Sequence, residues 1–108
     1  MELERSVVER LIVFGGTDIS RYLASKLEKD DNILSCRILE ENANVARHLA
    51  KKLQETAVIQ GDLMSEVILE EAGINRCDAT LSVMPHDKDN LLISLLAKQH
   101  HVPLSFNF

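Results

Sequence analysis

Arg10-Leu11-Ile12-Val13-Phe14-Gly15-Gly16-Thr17-Asp18-Ile19-Ser20 is the stretch on which the fold turns. Its first half is a short apolar run that stops at a glycine pair, the pattern of a strand covered on both faces. From Asp18 the period becomes helical: Ile19, Leu23 and Leu27 repeat every four residues with Ala24 beside them, while Arg21, Lys26 and Glu28 take the other side. A buried strand that turns on glycine into an amphipathic helix is the opening unit of a parallel α/β sheet.

The rest of the chain repeats that alternation. The polar cluster Lys29-Asp30-Asp31-Asn32 ends the first helix, and Ile33 to Leu39 reads as a second strand closed by Glu40-Glu41-Asn42. Asn42 suits the N-cap of a second helix, with Val45, Ala46, Leu49, Ala50 and Leu53 as its inner stripe. Ala57 to Gln60 is a third strand, stopped by Gly61-Asp62. Ser65 caps a third helix through Val67, Ile68, Leu69 and Ala72, with Gly73 placed for a left-handed C-terminal turn. Ala79 to Met84 is a fourth strand, Pro85-His86-Asp87 breaks it, and a helix from about Lys88 to His100 follows with Leu91, Leu92, Leu95 and Leu96 inward. Val102 to Phe108 opens a fifth strand.

Right-handed crossovers between parallel strands then favour the order 3-2-1-4-5, a Rossmann-like doubly wound α/β sheet with helices on both faces. Residues 1–9 read as a linker or leading arm, and residues 10–108 as one domain, a fragment of a longer protein. In such a sheet a ligand sits at the carboxyl ends of the strands, beside the point where the strand order reverses.

Composition narrows the partners. The chain is 45% hydrophobic and 27% charged, which favours a folded domain over disorder. A formal net charge of −5, with no basic cluster longer than Lys51-Lys52, argues against nucleic acid and an anionic membrane surface. No apolar run reaches the ~20 residues of a spanning helix, and the charged start Met1-Glu2-Leu3-Glu4-Arg5 lacks a signal-peptide core, so a cytosolic setting is expected. Cys36 and Cys77 share no CxxC spacing and read as reduced structural thiols.

Catalytic signals are few. His48, His86, His100 and His101 show no zinc spacing. His100-His101 suit the negative end of the fourth helix, and only His86 falls near the expected crevice. No serine stands in a GxSxG context. The loop Gly15-Gly16-Thr17-Asp18-Ile19-Ser20 occupies the place of a GxGxxG phosphate loop but keeps only its first glycine. Thr17 stands where backbone would meet a pyrophosphate, and Ser20 where helix and strand pack closely. Two readings stand side by side. One is a helix capped by its own Thr17, with Asp18 on the positive helix end; the other is a degenerate dinucleotide loop. Glu40, about 20 residues beyond the loop, stands where an acid holds ribose hydroxyls.

Taken together, Glu9 to Gly16 followed by Thr17-Asp18-Ile19-Ser20 resembles the opening of the RCK/KTN (TrkA-N) domains, regulators of potassium conductance. It looks most like the second such domain of the bacterial Trk potassium-uptake regulators. Arg37-Ile38-Leu39-Glu40, Val58-Ile59-Gln60-Gly61-Asp62, Leu69 to Ala79 and Asp87-Lys88-Asp89-Asn90 match family segments in order, so the resemblance runs from about Arg5 to Val102. It implies a cytoplasmic, non-enzymatic domain that pairs into a homodimer or larger ring and attaches to a membrane potassium transporter subunit, peripheral to the inner membrane. It also implies NAD or NADH, or alternatively ATP or ADP, as ligand. The residues carried over are Gly15, Thr17, Asp18 and Ile19 in the loop, Glu40 as ribose acid, Asp62 with Leu63 on the adenine side, and Met84 and Pro85 at the strand end. Thr17, Ser20 and Met84 depart from the family pattern, so weak binding is expected. Two alternatives remain: a fragment of a nicotinamide-dependent oxidoreductase, and a nucleotide-free assembly module with a decayed site.

Overall fold

Alternation of side chains along the first strand builds two cores at once. In the computed structural model, which describes residues 8–33 and 35–107, Ile12 and Phe14 face one side of the sheet and Leu11 and Val13 the other. The elements are β1 (Arg10–Phe14), α1 (Asp18–Leu27), β2 (Ser35–Glu40), α2 (Ala43–Lys52), β3 (Ala57–Gln60), α3 (Glu66–Ala72), β4 (Ala79–Ser82), α4 (Asp87–Gln99) and β5 (Leu104–Asn107). All four strand pairings are parallel, in the order β3-β2-β1-β4-β5. Leu11 and Val13 pack with Ala24 of α1, Leu49 of α2 and Ile38; Ile12 and Phe14 pack with Leu69 of α3, Ile93 and Leu96 of α4 and Leu39. The expected doubly wound sheet, with helices on both faces, is therefore the one observed.

Caps follow the sequence closely. Thr17, Asn42 and Ser65 accept first-turn amides, and Gly73 ends α3 at φ +87°, a conformation that suits glycine. The carboxylate of Glu28 ties the end of α1 to the loop before β3. It accepts the amides of Gln54 (3.0 Å), Glu55 (2.7 Å) and Thr56 (2.7 Å) and the Thr56 hydroxyl (2.8 Å).

Several boundaries and faces differ from the reading of the sequence. Most of the expected leading arm, residues 1–7, lies outside the described residues, as do Leu34 and Phe108. Glu9, assigned to that arm, is fastened to the sheet: its amide donates to Asp78 at 2.9 Å and its carbonyl accepts from Ser35. β4 ends at Ser82 rather than Met84, because the Asn90 side chain takes both backbone groups of Met84. β5 begins at Leu104 because the Val102 amide returns to Ala97 at the end of α4.

The inner faces of two helices are the larger corrections. In α4 the buried residues are Asn90, Ile93, Leu96 and Ala97, whereas Leu91, Leu92 and Leu95 are 57%, 45% and 56% exposed. Asn90 sets this rotation, since its bonds to Ser82 and Met84 point position 90 inward and carry 93, 96 and 97 with it. In α1 the sheet is met by Ser20 and Ala24, both fully buried, and Ile19 is exposed. Only small residues occupy the line of α1 that is fully buried. Val45 and Ala50 of α2 and Val67 of α3 are likewise exposed, while Ala46, Leu49, Leu53, Leu69 and Ala72 are buried.

Candidate functional site

The register Phe14↔Leu39 places Glu40, the last residue of β2, directly beside the loop that leaves β1. Gly15 turns that loop at φ +109°, a backbone region an L side chain enters only with strain. A Cβ on Gly15 would also stand 2.9 Å from Cγ of Met84, so the methionine lies over the turn. The Gly16 amide donates to Oε1 of Glu40 at 2.6 Å, and the Asn42 amide donates to Oε2 at 2.7 Å. The carboxylate thus bridges the loop after β1 and the loop after β2. A Cβ on Gly16 would approach the Glu40 side chain to 3.0–3.3 Å, so this bridge needs a small residue there.

Thr17 is the N-cap of α1, as the capped-helix reading had it. Its hydroxyl accepts from the Ser20 amide at a long 3.4 Å, and its carbonyl accepts the Ser20 hydroxyl at 2.8 Å. The amides of Asp18 and Ile19, in the first turn, have no acceptor among the described residues.

An open crevice of about 320 Å³ lies between these loops, lined by Gly15, Gly16, Thr17, Glu40, Glu41, Val45, Leu63, Met84, Pro85 and Asp89. Six of the nine residues marked from the sequence meet here: Gly15, Thr17, Glu40, Leu63, Met84 and Pro85. Asp62 lies next door, lining a smaller recess with Leu63, Met64 and Met84, and its carboxylate accepts the Met64 amide at 2.9 Å. Asp18 lines a groove on the other side of the loop, between α1 and α2, with Arg21, His48 and Lys52. Ile19 is exposed and lines neither.

The crevice is acidic: Glu40, Glu41 and Asp89 line it, and among the described residues no Lys or Arg does. An anion entering it has backbone amides and the positive end of α1 for partners, but no cationic side chain among the described residues to meet it. Its far wall is held by Asn90, whose buried amide oxygen accepts from the Ser82 hydroxyl and from the Met84 amide (2.9 Å), and whose amide nitrogen donates to the Met84 carbonyl (3.0 Å).

Gly16 and Asn90 were missing from the residues marked from the sequence. The motif registers on Gly15, and the doubled glycine is the only sequence signal for Gly16. Asn90 could have been found as the one polar residue interrupting an apolar helix face.

Neither cysteine offers a ready nucleophile. Burial, helped at Cys36 by the nearby Glu28 charge, pushes that thiol up to about 11; burial likewise dominates at Cys77, which also reaches about 11. Among the described residues no three His, Cys, Asp or Glu side chains gather as a metal site, and no helix is long and apolar enough to cross a membrane.

With the geometry in hand, the chain compares with known proteins as follows. The family model described as "TrkA-N domain" matches residues 11–105. The Trk system potassium uptake protein TrkA of Azorhizobium caulinodans is 35% identical over 91 residues, 84% of this chain and 20% of that protein. The proteins of the same name from Halomonas elongata and Haemophilus influenzae are each 33% identical, over 90% and 84% of this chain and 20% and 19% of their own lengths. The chain thus spans about a fifth of the length of the curated relatives it matches.

Proposed function

Since the chain belongs to the TrkA-N domain family, we propose that it is a regulatory domain that senses a nucleotide and controls potassium uptake by a membrane transporter. In this reading it corresponds to the second such domain of its longer relatives. It works in the cytoplasm, peripheral to the inner membrane through its transporter partner, and carries out no catalysis of its own.

The observation that carries the proposal is Glu40, held at the rim of the crevice by the Gly16 amide at 2.6 Å. A carboxylate has about four acceptor positions. The two amides leave others for the hydroxyls of a ribose, with the adenine side toward Asp62 and Leu63. The phosphates then lie over Gly15 and Thr17, where the first-turn amides of Asp18 and Ile19 serve as donors; these two residues act through backbone, not side chain. Met84 and Pro85 close the strand-end side. NAD or NADH fits this layout, with ATP or ADP as the alternative, and the lack of a cationic side chain in the crevice favours weak binding.

Regulation follows by population shift. A nucleotide that prefers one arrangement of paired domains biases the pair toward it, and the transporter responds to the difference. The exposed Leu91, Leu92 and Leu95 of α4 support pairing into a homodimer or larger ring, because they form an apolar strip on one element.

Titration of the domain with NAD+, NADH, ATP and ADP, followed by melting temperature, tests the reading. A ligand specific for the native state adds about 2.7 kcal/mol at 100 times its dissociation constant. At least one nucleotide should raise the melting temperature, and Glu40→Ala should remove the rise. If all four leave it unchanged up to millimolar concentration, the domain is an assembly module without a ligand, a reading favoured by the self-capped Thr17 loop.

A further inference from the structure

A cleft larger than the crevice, about 540 Å³, opens at the opposite edge of the sheet, at the amino ends of β1 and β2. Its walls include Arg10 at the start of β1, Arg37 within β2 and Arg76 in the turn after α3, together with Ser35 and Gly73. Three separate segments thus bring an arginine to one concavity, in a chain whose net charge is −5. Among the described residues no Asp or Glu lines it. The adjacent carboxylate, Asp78, accepts the amides of Glu9 and Arg10 at 2.9 Å each.

One of the three arginines has a structural duty. The Arg37 guanidinium donates to the Ala72 carbonyl at 2.9 Å, capping α3, whose last turn has no basic residue of its own. That bond anchors Arg37 at the wall and leaves its remaining donors available. Arg10 and Arg76 are exposed, and neither has an ion pair among the described residues. The helix end contributes at most about half a negative charge and Asp78, beside Arg10, one more, against three full positive ones.

We propose that this cleft is a second ligand site, distinct from the nucleotide crevice, that takes a small anion carrying phosphoryl groups. The volume falls in the range of small-molecule pockets, and guanidinium forks match the paired oxygens of phosphoryl groups. Arg37 supplies the fixed contact, and Arg10 and Arg76 close on the ligand from the two sides.

Calorimetric titration with inorganic pyrophosphate at constant ionic strength, combined with amide NMR shifts, tests the site. Wild-type protein should bind one pyrophosphate, with shifts at Gly73, Arg76 and Cys77. The double variant Arg10→Gln/Arg76→Gln, which leaves the Arg37 bond to Ala72 in place, should bind at least about tenfold more weakly, and its circular dichroism should be unchanged. Shifts at Gly15–Thr17 should be absent, which separates this site from the crevice. Absence of binding, equal binding by the double variant, or shifts confined to Gly15–Thr17 would overturn the proposal.

Discussion

Replacing Asn90 with alanine should unsettle both the sheet and the wall of the crevice. Asn90 is buried, and its side chain serves three partners: the Ser82 hydroxyl, the Met84 amide at 2.9 Å and the Met84 carbonyl at 3.0 Å. Ser82 is itself buried, so its hydroxyl is stranded by the change, at a cost of about 1–3 kcal/mol. Met84 is half-buried, so its two backbone groups can reach water, and each lost bond costs about 0.5–1.5 kcal/mol. The total is about 2–6 kcal/mol, a large part of the roughly 5–15 kcal/mol that holds a domain together. At about 4–8 °C per kcal/mol, the melting temperature should fall by roughly 10 °C or more. Urea unfolding followed by circular dichroism measures the loss as a lower midpoint at unchanged slope. Adding Ser82→Ala removes the stranded hydroxyl and should return about 1 kcal/mol, a coupling a double-mutant cycle resolves. A loss below about 1 kcal/mol, or no recovery in the double variant, refutes the account of Asn90 as the pin of this wall.

Three other outcomes are expected. Thr17→Gly with Asp18→Asn should tighten NAD or ATP binding, and because Asp18 is exposed and lines the groove outside the crevice, its repulsion of a phosphate is screened and the gain should be about tenfold; titration calorimetry showing no gain counts against a repulsive loop. Burial alone would raise the Glu28 carboxyl, but the amides of Glu55, Thr56 and Gln54 and the Thr56 hydroxyl together bring it below its ordinary 4.5; a lowered native value means stability that is present above 4.5 and lost as pH falls through the native value, so acid unfolding curves of wild type and Glu28→Gln should converge below that point, and parallel curves would remove Glu28 as the cause. Leu92→Glu with Leu95→Glu should convert a dimer to monomer in light scattering without lowering the melting temperature of the domain, since both leucines are exposed; an unchanged mass places the interface elsewhere.

What the sequence made legible, and what it hid, divides along the range of the forces involved. β1, its glycine turn and the alternation that follows rest on local pattern, and the parallel order follows because crossovers have one hand. Caps are equally local, so Thr17, Asn42, Ser65 and Gly73 were readable. Helix rotation was not. α4 carries leucine on several sides, so its apolar period is blurred, and its orientation is decided by Asn90 reaching across to Ser82 and Met84. α1 shows the same effect: Ile19 and Leu23 suggest the inner line, yet packing in the fold gives it to Ser20 and Ala24. At the crevice, Gly15 and Glu40 were visible as a turn and a strand-end acid. The bond from Gly16 to Glu40 was not, because it depends on the pairing of β1 with β2, which no single segment encodes.

The position of β1 in the sheet also bears on how the chain is made. Within the β1–β5 sheet the earliest strand to emerge is the central one, and its two neighbours arrive at very different times. Residues from β2 are soon available to pair with Arg10–Phe14, but Leu11 must wait for Ala79 before its second edge is covered. Until then a nearly continuous apolar strand exposes a row of unpaired amides and carbonyls, the kind of edge that recruits other chains. High sequence separation of this pairing slows its closure, because the loop entropy is lost before the contact forms. During synthesis the half-sheet β1–β2–β3 is therefore the vulnerable species, and a ribosome stalled before Ala79 should release a product prone to aggregate.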